Sequence, residues 1–202
     1  MVNPKDYLEM GLRFHGHKCP AMPMGLRTGA AVMNALGVGR TGDSALLALV
    51  ELGDNHCATC FADGVQVITG CTFGKGNIQK LGYGKWGVTL IDKKTRRAVR
   101  AIPKAAVMME NKHGEFIEMR MGGTPPTQVP EHISQPLVEK VMSAPQEQLL
   151  DVGPVTTTPV DMPKHLWDVF ICDGCGEFVI EAYGRIKGAQ KLCIPCHEQV
   201  KG

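Results

Sequence analysis

Large rings are scarce in this sequence: phenylalanine, tyrosine and tryptophan together make up 5% of 202 residues. So few rings offer few stacking platforms, which disfavours nucleic acid as a partner. Charge of one sign is lacking too, since 22 basic residues face 20 acidic ones for a formal net charge of +2. The densest basic run, Asp92 to Arg100, is short and fits a solvated turn between two strands. No stretch has the length and apolarity of a signal peptide or a membrane span, so a cytoplasmic protein with no membrane partner is expected. No internal repeat recurs at a useful period.

What is present is a 44% apolar fraction with 24 glycines and 11 methionines, enough for a core of aliphatic and sulfur side chains. There are also eight cysteines. In a reducing compartment these point to metal binding or redox work before disulfides.

Asn3-Pro4 opens a predicted helix through Phe14, because Asn caps and Pro suits the first helical position. A second helix is predicted from Pro23 to Leu36, stopped by Gly37 and Gly39. The apolar run Ala45 to Leu52 reads as a buried strand followed by a capped helix, and "WGVTLID" with "RRAVRAI" reads as a hairpin. "EFIEMRM" alternates like another strand. The expected class is α+β, with helices packed on a mixed or antiparallel sheet. Eight of the 13 prolines lie between Pro125 and Pro163, which marks an extended arm or linker with one helical stretch, Leu137 to Val152. The expected domains are a core over 1–155, a proline-rich linker over 156–166 and a small cysteine-rich module over 167–202.

That module holds two C-x-x-C pairs, Cys172 with Cys175 and Cys193 with Cys196, separated by seventeen residues. The spacing suits a structural zinc ion, because each pair turns two thiolates toward one point while the intervening segment folds back. "CIPCH" also matches a haem-attachment sequence, but haem would leave Cys172 and Cys175 unexplained. His197 reads as a helix-surface residue.

A second constellation lies near the start. In "FHGHKCP", His15, His17 and Cys19 alternate, so an extended segment would place them on one face, and Pro20 keeps Cys19 out of a helix. Imidazole and thiolate are donors that zinc or another borderline transition metal prefers. Three donors on one loop need more from elsewhere, and "NHCATC" offers Cys57 and Cys60 at a helix start, where thiolates are favoured. Asp63, one turn on, is placed to orient a ligand. Cys71 reads as packing, and His113, His132 and His165 as surface. "GVGRTG" follows a helix rather than a strand, and "GCTFGKG" lacks the Ser or Thr of a phosphate loop, so neither carries a nucleotide reading.

Three blocks in order, "FHGHKCPAMPMGLRTG", "CFADGVQVITGCTFGKGN" and "CDGCGE…LCIPC", resemble the E-subunit family of formylmethanofuran dehydrogenase. The resemblance implies an α+β core that commonly dimerises, joined in some members to a treble-clef zinc finger. It places His17, Cys19 and Cys60 at the family's motif positions, with Cys71 and Lys75 nearby, and leaves Cys57 outside the block. Cys60, Cys19 and Lys75 are therefore the candidate catalytic residues. Independent dehydrogenase activity is not expected of 202 residues, which hold no scaffold for a molybdopterin cofactor.

Three functions follow. The first is a zinc-binding accessory or regulatory protein of methanofuran-linked one-carbon metabolism, a homodimer or part of an enzyme complex. It would hold one structural zinc and a second zinc or other transition metal in the core. The second is a dithiol oxidoreductase using Cys57 and Cys60. The third is a zinc-finger module that binds protein.

Overall fold

In the computed structural model, residues 1–54, 59–159 and 166–199 are described. The chain divides into two compact units, Met1–Asp161 and Met162–Gly202.

In the first unit the Asn3 side chain accepts from the Lys5 amide at 3.1 Å and starts a 3-10 turn, Pro4–Tyr7, that runs into helix α1, Leu8–His15. Gly16, at φ 84°, closes α1 in a left-handed conformation open to glycine at little cost. Helix α2, Ala21–Leu36, is buried along most of its length. Strand β1, Leu46–Val50, is followed by α3, Cys60–Thr69, and then β2, Ile78–Lys80, which pairs parallel to β1 with Ala48 beside Ile78. A parallel pair needs such a crossover, and α3 supplies it. Strands β3, Val88–Asp92, and β4, Arg97–Pro103, form the predicted hairpin, with Leu90 opposite Val99.

The sheet order is β2-β1-β3-β4-β5, where β5 is Leu150–Val152. A two-residue strand β6, Thr156–Thr157, also pairs with β4, within the span assigned from sequence to the linker. One face of the sheet, with Leu46, Ala48, Val50, Leu90, Val99 and Ala101, joins the core formed with α2 and α3. Burying these aliphatic faces is the main stabilising term. The Glu51 carboxylate, nearly buried, receives a two-pronged hydrogen bond from Arg100 at 2.5 and 2.8 Å.

Helices α2 and α3 approach backbone to backbone. A Cβ on Gly25 would lie 2.0 Å from the Phe61 carbonyl oxygen, and one on Gly64 would lie 2.1 Å from that of Met22. Only glycine permits this crossing, which brings the start of α3 beside the start of α2.

Three expectations are corrected. "EFIEMRM" is helix α5, Glu115–Met121, which follows α4, Ala105–Glu110. Seven residues cannot separate a period of 2 from one of 3.6, and here Phe116 is buried while Met121 is 83% exposed, so no alternating face is buried. The proline-rich stretch is not an extended arm. It folds into α6, Glu131–Ser143, with Pro136 inside it, then α7, Gln146–Leu149, and β5. The Arg27 guanidinium holds it to α2, donating to the carbonyls of Val141 at 2.9 Å, Met142 at 3.0 Å and Ala144 at 2.6 Å. Finally, "HGHKC" is not one extended segment, because His15 is the last residue of α1.

The second unit has hairpin β7–β8, Val169–Ile171 with Phe178–Ile180, then hairpin β9–β10, Arg185–Lys187 with Gln190–Leu192, and helix α8, Ile194–Gln199. Knuckle, hairpin and helix in this order fit a treble-clef zinc module. Its buried core among the described residues is Cys172, Leu192 and Cys193.

Candidate metal centres

Two chain turns and one helix start build the first centre. The α1 terminus presents His15, the Gly16 turn reverses the chain so that His17 and Cys19 follow on the same side, and Cys60 opens α3. One donor atom from each of His15, His17, Cys19 and Cys60 lies within 4.8 Å of all the others. His15 Nε2 is 3.1 Å from His17 Nε2 and 3.5 Å from Cys19 Sγ.

These distances can be set against coordination geometry. A tetrahedral ion with bonds of about 2.0 Å to nitrogen and about 2.3 Å to sulfur fixes nitrogen–nitrogen edges near 3.3 Å and nitrogen–sulfur edges near 3.5 Å. The donors stand at those edges.

Charge in the cluster is tightly shared. Burial pulls the His15 pKa down, and hydrogen bonds with Asp63 and Cys60 more than reverse it, lifting it to about 9. Burial and then the neighbouring His15 lower His17. The Cys60 thiol donates to Cys19, which lowers Cys19, helped by the Met22 and Ala21 backbone amides at the start of α2. The same bond, together with burial, pushes Cys60 up. Protons thus hold together four groups that all offer lone pairs to one point. A divalent ion is the charge that would let both sulfurs be thiolates.

In the second centre the sulfurs of Cys172, Cys175, Cys193 and Cys196 also converge within 4.8 Å. Cys175 Sγ and Cys193 Sγ are 3.9 Å apart, close to the edge of about 3.8 Å expected between two sulfurs on one zinc ion. Cys172 Sγ accepts from the Cys193 amide at 3.2 Å and the Gly174 amide at 3.4 Å, and these donors bring its pKa down to about 6. Cys193 and then Cys175 push Cys196 up to about 12. Both C-x-x-C pairs are consumed here, which removes the basis for haem attachment.

Comparison with known proteins gives the family. The profile described as "FmdE, Molybdenum formylmethanofuran dehydrogenase operon" matches residues 14–151. The chain belongs to the FmdE family. A curated relative, a probable S-adenosyl-L-methionine-binding protein of Archaeoglobus fulgidus, is 28% identical over 96% of this chain, and the chain spans 54% of that relative's length. Among solved structures, an FmdE-like protein of the tungsten formylmethanofuran dehydrogenase type from Syntrophus aciditrophicus superposes with a TM-score of 0.65 at 22% identity. That match covers 98% of this chain and 94% of the other. It shows a shared fold.

The family match includes every donor of the first centre. Cys57 and His165 lie outside the described residues. Lys75 is not brought to the cluster: it follows the far end of α3, whose ten residues run roughly 15 Å, and its Nζ donates toward the Thr41 and Gly42 carbonyls at 3.4 and 3.5 Å. Cys71 is fully buried in the apolar core, and burial pushes its thiol up. Sequence reasoning passed over two functional features. One is the glycine crossing, signalled by Gly25 and Gly29 one turn apart in an aliphatic helix. The other is Gln66, signalled by the three-residue spacing of Cys60, Asp63 and Gln66.

Proposed function

We propose that this FmdE-family protein is a zinc-binding accessory or regulatory component of methanofuran-linked one-carbon metabolism. His15, His17, Cys19 and Cys60 hold a transition metal, zinc, in the core, and Cys172, Cys175, Cys193 and Cys196 hold a structural zinc in the finger. The observation that carries this reading is the agreement of the core donor spacings with the edges of one N₂S₂ tetrahedron. Two neutral imidazoles and two thiolates suit a borderline divalent ion and balance its charge.

With four protein donors such a centre is closed and works by fixing geometry. Lewis-acid chemistry would require one donor to yield to water or to a partner's ligand, as in catalytic zinc sites. The dithiol alternative gains no support, since Cys60 faces Cys19 and its thiol is pushed up rather than activated. The finger is the proposed contact for a protein partner or enzyme complex, supported by exposed Ile171, Phe178 and Ile186. The whole acts as a cytoplasmic homodimer, with core 1–155, linker 156–166 and finger 167–202.

Elemental analysis of the purified full chain tests the core centre. Two zinc per chain in wild type, falling to one in Cys19→Ala, is expected. One zinc in both would refute the core centre.

A further inference from the structure

Three polar side chains recur every three residues along α3: Cys60, Asp63 and Gln66. That spacing puts them on one stripe of the helix. Cys60 is in the donor cluster, and the other two lead away from it. Asp63 Oδ2 is 2.7 Å from His15 Nδ1, and the His15 side chain is only 6% exposed. Gln66 Nε2 donates to the other oxygen, Asp63 Oδ1, at 3.4 Å, and Gln66 Oε1 accepts from the Phe73 amide at 3.1 Å. A carboxylate can only accept and a backbone amide can only donate, so the Gln66 amide has one orientation that satisfies both ends.

We infer that Asp63 and Gln66 are positioning residues for the core metal centre, forming a chain that ties the ligating imidazole of His15 to the backbone of the Phe73–Lys75 turn. The inference rests on the core-metal reading above. With Nδ1–H committed to Asp63, the His15 lone pair belongs to Nε2, the nitrogen that faces His17 at 3.1 Å and Cys19 at 3.5 Å. Asp63 fixes the tautomer and ring orientation. Gln66 in turn holds the rotamer of a carboxylate that is itself one-third exposed and would otherwise turn toward solvent.

The chain ends on a surface turn. Phe73 is 89% exposed, and the Phe73–Lys75 turn closes on Gly76 at φ 63°. The position of this loop is thereby relayed to the metal centre through two side chains, without either touching the ion.

Zinc competition against a chromophoric chelator on the full chain tests the inference, with the finger zinc as internal reference and the cobalt(II) absorption spectrum as a second readout. Asp63→Ala is expected to weaken the core zinc by about 10–100-fold, the usual consequence of removing such an outer partner. Gln66→Ala should weaken it by a few fold, and Asp63→Asn, which keeps an acceptor oxygen, should recover most of the loss. The finger affinity should not move, and the core cobalt bands should shift in Asp63→Ala. Gln66→Ala and Asp63→Asn carry the test should Asp63→Ala not fold. Two metals in wild type with unchanged core affinity and cobalt bands in every variant would overturn the positioning chain alone. One metal in wild type would overturn the core centre and the chain with it.

Discussion

Gly25→Ala is the sharpest test of how the helices build the centre. The added methyl would lie 2.0 Å from the Phe61 carbonyl oxygen and 3.1 Å from Gly64 Cα. Both neighbours are backbone, so no rotamer change relieves the contact. The helices must part by about 1 Å or more before the methyl approaches an ordinary packing distance of about 3.5 Å. Overpacking of this kind costs about 1–3 kcal/mol, and a contact with rigid backbone belongs at the top of that range. For a chain of this length about 3 kcal/mol corresponds to a fall in Tm of roughly 6–12 °C. The shift also moves Cys60 away from Cys19, by more than the ~0.5 Å within which a site geometry must be held. Calorimetry with metal analysis should therefore show a lower Tm and loss of one zinc per chain. Gly39→Ala, with no heavy atom within 4 Å of the new methyl, is the control and should leave both unchanged. A Gly25→Ala protein that keeps two metals and melts within 2 °C of wild type (about 1 kcal/mol or less) would refute the reasoning.

Two further outcomes follow from other parts of the molecule. The hydrogen bond from Arg100 holds the Glu51 carboxyl below its ordinary value of 4.5, so near that pH the unfolded chain binds the proton and the folded chain does not. Stability from the pair is complete above pH 4.5 and is lost as pH falls through the lower folded value. The gap in urea midpoint between wild type and Glu51→Gln should shrink below pH 4.5, and a gap that stays constant with pH would contradict this. In the finger, the buried core of Cys172, Leu192 and Cys193 is too small to hold two hairpins and a helix alone, so a strong chelator should abolish amide protection in α8. Protection in β1 and β4 should survive, as measured by hydrogen exchange.

The sequence was most legible where a local rule had a single solution. Gly37 ended α2 as glycine caps do, the Asp92 to Arg97 turn joined two strands, and the two C-x-x-C pairs converged. The core centre was legible in its residue types and less so in its shape. Alternation in "HGHKC" implied a strand, whereas a helix end plus one left-handed glycine produced the same convergence. Long-range facts were hidden. Proline density reads as irregular chain, but Pro130 and Pro145 flank α6, Pro136 sits within it, and the partner that holds that helix, Arg27, lies 114 to 117 residues away from the carbonyls it binds. Nothing local in "GLRTG" announces such a contact.

Arg27 also has a mechanical consequence. Helices α1, α2 and α3 each end on a left-handed glycine, but α6 runs out at Ala144 before Pro145, and the guanidinium of another helix closes it. At the opposite end of α6, Glu131 is paired with Lys18, the residue before Cys19. The helix is thus moored at both ends to the segment that carries the core cysteine, like a strut laid along a beam. A load on α6 therefore reaches Cys19 by two routes at once, and the proline-flanked surface helix is part of the frame that keeps the metal donors in register.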